Sequence, residues 1–232
     1  MGLSGKTAVV TGAGSGIGLA IARALVAQKA RVLLVSRSNS CVTAARRLHA
    51  EGYPADVSDS GAVHRLFAHV RKTWGHLDVL INSAGVAEAA PLRSTTDQTW
   101  QRALDANLTA TFYCCRAALD LMLPRKRGHI VNILSVAAIE VFPNNAAYCA
   151  SKFGALGLTR VLREEVRDAG IRVTAVLPGA VDTPIWRNYW PDAPREKMLQ
   201  PADIADAVLA ALTAREKAVA EEIVLRPING KL

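Results

Sequence analysis

The chain has 232 residues, enough for one large core, and its 50% hydrophobic and 21% charged content is that of an ordinary globular protein. No apolar run approaches the roughly 20 residues that span a bilayer, so an integral membrane protein is excluded from the expectations. Net charge is +8, and the first 50 residues hold Lys6, Arg23, Lys29, Arg31, Arg37, Arg46 and Arg47 with no acid before Glu51. Such asymmetry is compatible with nucleic acid, with a solvated basic face, or with an anionic ligand held by this segment.

In chain order, strand-like and helix-like stretches alternate. The first six residues lack signal-peptide architecture and lead into a β-branched run at 6–11. A helix is expected over 17–28, a strand over 31–36, a helix over 42–50 and a very short strand over 53–55. Further helices are expected over 62–73, 99–123, 147–169 and 202–214, with strands over 78–82, 129–134, 171–177 and 222–226. This βαβα pattern predicts a doubly wound, Rossmann-type parallel sheet covered by helices on both faces. No linker or repeat interrupts it, so a single domain over 1–232 is expected. Cys41, Cys114, Cys115 and Cys149 show no C-x-x-C or metal-ligand spacing. They read as free thiols of a reducing compartment, and a cytoplasmic protein without a metal is expected.

Parallel sheets bind ligands beyond the carboxyl ends of their strands. After the first strand stands Thr11-Gly12-Ala13-Gly14-Ser15-Gly16-Ile17-Gly18, opening a helix. Glycines permit a tight turn and let a pyrophosphate reach backbone N–H groups at the helix start. The spacing is T-G-x-x-x-G-x-G, because Ile17 occupies the third position of G-x-G-x-x-G. Gly12, Ser15, Gly16, Ile17 and Gly18 are therefore expected at a dinucleotide. The second strand ends Val35-Ser36-Arg37-Ser38, without the acid that receives a ribose 2′-hydroxyl. Ser36 and Arg37 fit a 2′-phosphate instead, which selects NADP(H), with Asp56 facing the adenine and Val57 beside it.

More candidates follow later strands: Asn82, Ala84 and Gly85, then Ser135, then Pro178 and Gly179 with Thr183 close behind. Tyr148 and Lys152 lie four residues apart, on one helical face. Reducing a ketone needs a hydride and a proton. A phenol is a poor acid–base near neutrality, and an ammonium one turn away is expected to lower its pKa. A serine hydroxyl can hold the substrate oxygen as it gains charge.

Taken together, Thr11-Gly12-x-x-x-Gly16-x-Gly18, Asp56, Asn82-x-Ala84-Gly85, Asn107, Ser135, Tyr148-x-x-x-Lys152 and Pro178-Gly179 resemble the short-chain dehydrogenase/reductase family over nearly the whole chain. The resemblance implies Tyr148 as general acid/base, with Lys152 also binding the nicotinamide ribose. It implies Ser135 as the residue orienting the substrate, and Asn107 as a helix interruption that holds a water linking Lys152 to solvent. It also implies strand order 3-2-1-4-5-6-7 and a homodimer or homotetramer built on the two long helices. Ser83 departs from the usual Asn-Asn-Ala-Gly; it keeps a polar side chain, and little loss is expected.

The 22 residues from Ala180 to Pro201 leave room for only a small substrate lid, at about 180–200. Val136, Ile139, Val141, Phe142, Ile185, Trp186, Tyr189, Trp190 and Met198 are candidates for the pocket of a small carbonyl or alcohol substrate. The lid's aromatic residues point to an apolar or aromatic compound, or equally to lid closure or subunit packing. A 3-oxoacyl-carrier-protein reductase is the alternative activity, since Arg125-Lys126-Arg127 could attract an acidic carrier. The C-terminal segment lacks that branch's Thr-Gly entry and double-glycine end. A non-catalytic NADP(H) sensor is the alternative of another class. Neither nucleic acid nor a membrane is expected as a partner, because the basic residues coincide with the expected cofactor end.

Overall fold

Strand β1 (Thr7–Thr11) is buried along its whole length. Successive side chains point to opposite faces, so Val9 enters one core while Ala8 and Val10 enter the other. A strand apolar on both faces must be covered on both. In the computed structural model, which describes residues 2–215 and 217–230, helices do this. On one face lie α1 (Gly16–Ala27), α2 (Ser40–Leu48) and α8 (Pro201–Thr213), through Ile21, Leu25, Cys41, Ile204 and Val208. On the other lie α3 (Ser60–Trp74), α5 (Ala110–Met122) and α6 (Ala146–Val166), through Leu66, Phe67, Cys114, Met122 and Leu162.

The remaining strands are β2 (Arg31–Ser36), β3 (Glu51–Pro54), β4 (Val79–Asn82), β5 (Gly128–Ile133), β6 (Ile171–Pro178) and β7 (Glu222–Leu225). All six pairings are parallel, in the order β3-β2-β1-β4-β5-β6-β7. The order reverses beside β1, between the β1 and β4 ends, which opens a crevice there. This is the doubly wound α/β fold expected from the alternating pattern.

Two features differ from the element pattern read from periodicity, the first of them at Asn107, where the resemblance implies a helix interruption. The helix expected over 99–123 is broken. Helix α4 (Asp97–Leu104) starts earlier because the Thr96 hydroxyl caps it, accepting from Thr99 N. A π-turn at Asp105–Thr109 then separates it from α5. The lid contains a one-turn helix, α7 (Trp186–Tyr189), too short for any periodicity to reveal.

Candidate active site

The Gly12 backbone has φ +66, and a Cβ there would lie 2.6 Å from the Ser83 carbonyl oxygen. At Gly18 a Cβ would lie 2.6 Å from the Gly12 carbonyl oxygen. Only glycine allows this fit, which brings the loop after β1 against the segment after β4. Thr11 ties the same segments, its hydroxyl accepting from Ser83 N and Ala84 N at 3.1 and 3.2 Å. The first turn of α1 then opens toward the crevice with no acid in it, and Ser15 forms no side-chain cap. Uncapped N–H groups at a positive helix end form an anion-binding surface.

That surface belongs to a cleft of about 1430 Å³ at the carboxyl ends of the strands. The cleft wall includes Gly12, Ser15, Gly16, Ile17, Gly18, Ser36, Arg37, Asp56, Val57, Ala84, Gly85, Ser135, Tyr148, Lys152, Pro178, Gly179 and Thr183. Asn82 and Asn107 stand behind it. The Asn82 amide points into the core, donating to Asn132 Oδ1 at 2.9 Å and joining β4 to β5. Asn107 is buried in the π-turn. Its Oδ1 accepts from Val86 N at 2.9 Å, and its Nδ2 donates to Val86 O at 3.0 Å and Ser151 Oγ at 2.9 Å.

Of the seven early basic residues, only Arg37 lines the cleft. Lys6 pairs with Asp78 at the opposite end of the sheet, and Arg31 lies over the Trp74 ring. The acid-free start of the chain thus places a single guanidinium at the cleft, not a cluster. Arg125-Lys126-Arg127 also lies away from it, just before β5, where Arg125 is 3.7 Å from Asp78.

Helix α6 sets Tyr148 and Lys152 one turn apart, above the end of β5. Tyr148 is half-buried; desolvation pushes its hydroxyl up to about 12, and the Ser135 hydroxyl beside it acts in the opposite direction. The lowered phenol pKa expected from the sequence is therefore not found in this structure. Lys152 is buried, with Nζ 5.7 Å from the centre of the Tyr148 ring and 3.4 Å from the Ile133 carbonyl, to which it donates. Its charge meets the ring face and a carbonyl instead of the phenol oxygen. Burial lowers the Lys152 pKa to about 8.

Val136, Phe142, Ile185, Trp186, Tyr189 and Trp190 also line the cleft, as expected of pocket residues. Three expected pocket residues do not. Ile139 and Val141 face solvent on the loop after β5, and Met198 is buried within the lid segment. Sequence reasoning missed Ser40, Arg226 and Asn145. Ser40 closes the serine run after β2 and receives a hydrogen bond from Ser38 Oγ at 2.9 Å. Arg226 reaches the cleft from the end of β7, where it pairs with Glu140. Asn145, directly before α6, carried a legible helix-start signal.

A family model described as short chain dehydrogenase matches residues 6–194. An uncharacterized oxidoreductase of Staphylococcus aureus is 38% identical over 230 residues, covering 97% of this chain and 99% of that protein. A sepiapterin reductase of Chlorobaculum tepidum is 38% identical over 238 residues, covering 97% of each. A metagenomic short-chain oxidoreductase solved in complex with NADP is 36% identical with a TM-score of 0.86, covering 98% of this chain and 99% of that one.

Proposed function

Because the chain belongs to the short-chain dehydrogenase/reductase family, we propose that it interconverts a ketone or aldehyde and an alcohol with NADP(H), using Tyr148 as general acid/base. The observation that carries the reading is the convergence of Ser135, Tyr148 and Lys152 on one wall of a cleft whose far end holds the glycine loop and Arg37.

The cleft fits that cofactor on its own chemistry. The α1 first turn offers uncapped N–H groups to the pyrophosphate, and the end of β2 offers Arg37 and Ser36 with no carboxylate to repel a 2′-phosphate. Asp56 and Val57 line the adenine end; Asn82 holds its segment from behind, while Ala84, Gly85, Pro178, Gly179 and Thr183 line the nicotinamide end. The NADP complex of the metagenomic relative points the same way. Bound NADPH would supply the hydride.

The residues of the chain handle the proton. Ser135 donates a hydrogen bond to the carbonyl oxygen and fixes it beside the Tyr148 hydroxyl. A phenol held near 12 is protonated at neutral pH, so it donates to the alkoxide as the carbonyl is reduced. The Lys152 ammonium, over the ring, stabilises the phenolate left behind. Asn107 is a positioning residue. It clamps the Val86 backbone to Ser151, next in sequence to Lys152, and we assign the proton-carrying water to this corner.

The same reading takes the chain as one domain with a small lid at about 180–200. It takes it as a homodimer or homotetramer packed through α5 and α6, where Phe112, Phe153 and Val161 are exposed. Among the described residues no helix is long and apolar enough to cross a membrane.

The test is a panel of ketones, diketones, aldehydes and an acyl thioester, read by NADPH absorbance. Turnover of a small carbonyl compound with preference over NADH is expected. Preference for the thioester would favour the carrier-protein alternative, although Arg125, Lys126 and Arg127 do not line this cleft. Tight NADPH binding with no turnover anywhere in the panel would contradict the proposal.

A further inference from the structure

The lid carries an aromatic corner that the proton chemistry does not use. The Trp186 and Tyr189 rings meet edge to face with centres 5.3 Å apart, and Trp190 joins Trp186 at 6.3 Å. Trp186 is fixed by its indole N–H, which donates to the Val181 carbonyl at 2.7 Å. All three line the cleft, as does Phe142. Arg226, whose side chain reaches the cleft from the end of β7, is already paired with Glu140 at 2.6 Å. This end of the cleft therefore offers ring faces and edges rather than an open charge.

Tyr189 also reaches the catalytic helix. Its hydroxyl donates to Asn145 Oδ1 at 2.7 Å. Asn145 is buried and is held three times more: its Nδ2 donates to the Pro143 carbonyl at 2.9 Å, its backbone N–H donates to the Phe142 carbonyl at 3.2 Å, and its backbone carbonyl accepts from Cys149 N at 2.8 Å. It stands three residues before Tyr148, so the lid is bonded to the first turn of α6 at the residue that starts it.

We propose that Tyr189 is a specificity-determining residue: its ring and that of Trp186 form a wall for a flat, uncharged aryl ketone, and its hydroxyl, through Asn145, holds that wall at a fixed distance from Tyr148. The proposal rests on the reductase reading above for its substrate class. The geometry favours a flat ring over a puckered one of the same size, because aromatic contacts are worth about twofold to tenfold in affinity beyond the area buried.

The experiment compares acetophenone with cyclohexyl methyl ketone, which match in size and differ in ring character. The enzyme is expected to favour acetophenone in kcat/KM by roughly tenfold. Tyr189→Leu loses ring and hydroxyl together, so it should abolish that preference through KM for acetophenone, on top of a several-fold loss shared by both ketones. Tyr189→Phe keeps the ring and should keep the preference, while losing a similar several-fold factor with both ketones. Trp186→Leu, a second route into the same wall, should repeat the Leu result. An equal loss with both ketones in Tyr189→Leu and Trp186→Leu would overturn the proposal.

A binding readout separates this proposal from the reductase reading. Acetophenone is titrated by quenching of tryptophan fluorescence, with no turnover required. If neither ketone is reduced but Tyr189→Leu weakens acetophenone binding several-fold, the wall stands and the reductase reading falls. If Tyr189→Leu leaves acetophenone binding unchanged, the wall is refuted whatever the activity.

Discussion

The two ends of helix α6 treat a buried cation in opposite ways. Near its C-terminal end Arg163 is buried and fully engaged: Nε donates to the Val173 carbonyl at 3.0 Å, one terminal nitrogen donates to the Glu221 carbonyl at 2.6 Å, and the Glu221 carboxylate lies 3.6 Å away. Near its N-terminal end Lys152 is equally buried, with one 3.4 Å bond to a carbonyl and no carboxylate partner among the described residues. The amino ends of the strands repeat the first pattern, where Asp78 accepts from Thr7 N and pairs with Lys6. A buried charge matched within the chain serves the fold. An unmatched one in a cleft that also holds an uncapped helix start and a glycine loop marks the place where a ligand completes the set.

Replacing Lys152 should disturb the comparison most. Lys152→Met is expected to lower kcat/KM by at least about 10²-fold, the scale of a lost acid–base contribution. Thermal stability should rise in the same variant. The folded-state pKa is near 8 and the ordinary value is 10.5, so below pH 8 the fold carries a buried ammonium at a cost. Between those values the unfolded chain binds the proton and the folded chain does not, so this group's contribution to stability increases with pH across the window. Melting curves from pH 7 to about 10 should show that rise in the parent and lose it in Lys152→Met. A variant that melts lower throughout would place Lys152 with Arg163 as a structural cation.

Arg37→Ala comes next. Losing a charge-assisted bond of about 1.5–3 kcal/mol should raise KM for NADPH roughly tenfold to a hundredfold. KM for NADH should stay within about twofold, since no 2′-phosphate is involved. Equal losses with both cofactors would remove Arg37 from the selective role.

The sequence made the cleft legible wherever a function demands a residue type at a strand end. Gly12 and Gly18 announce a close backbone approach because no side chain fits there, and Tyr148 and Lys152 announce themselves by helical spacing. It was opaque where position depends on tertiary contact. Periodicity hid the helix break at Asp105–Thr109, which only the resemblance at Asn107 implied, because it accompanies the Asn107 side chain bonding the backbone of Val86, 21 residues earlier. The upward shift of the Tyr148 phenol follows from how the cleft walls desolvate it, which spacing does not encode. The basic residues were expected at the cofactor end, yet six of the seven lie away from the cleft, because charge counting carries no direction; Lys6 and Arg31 turn toward Asp78 and Trp74.

The smallest effect is expected at the matched end. Asp78→Asn keeps one acceptor but loses the charge that pairs with Lys6, and should cost about 1–3 kcal/mol of stability while leaving kcat and KM unchanged. Burial raises the Asp78 pKa, but the Thr7 N–H and Lys6 outweigh it and hold the carboxyl below its ordinary 3.8. That group therefore stabilises the fold above pH 3.8 and loses its contribution as pH falls through the folded value. As pH falls below 3.8 the parent's stability should drop more steeply than that of Asp78→Asn, and the two should converge once the carboxyl is protonated in the fold. A change in kcat would show that the two ends are not independent.

The most direct measurement is Tyr148→Phe assayed for both turnover and NADPH binding. The account predicts that kcat for ketone reduction falls by about 10²–10⁴-fold while the NADPH dissociation constant moves less than about threefold, because the ring stays and only the proton donor is lost. Retained turnover, or a loss explained by weakened NADPH binding, would contradict the assignment of Tyr148 as the acid/base of this cleft.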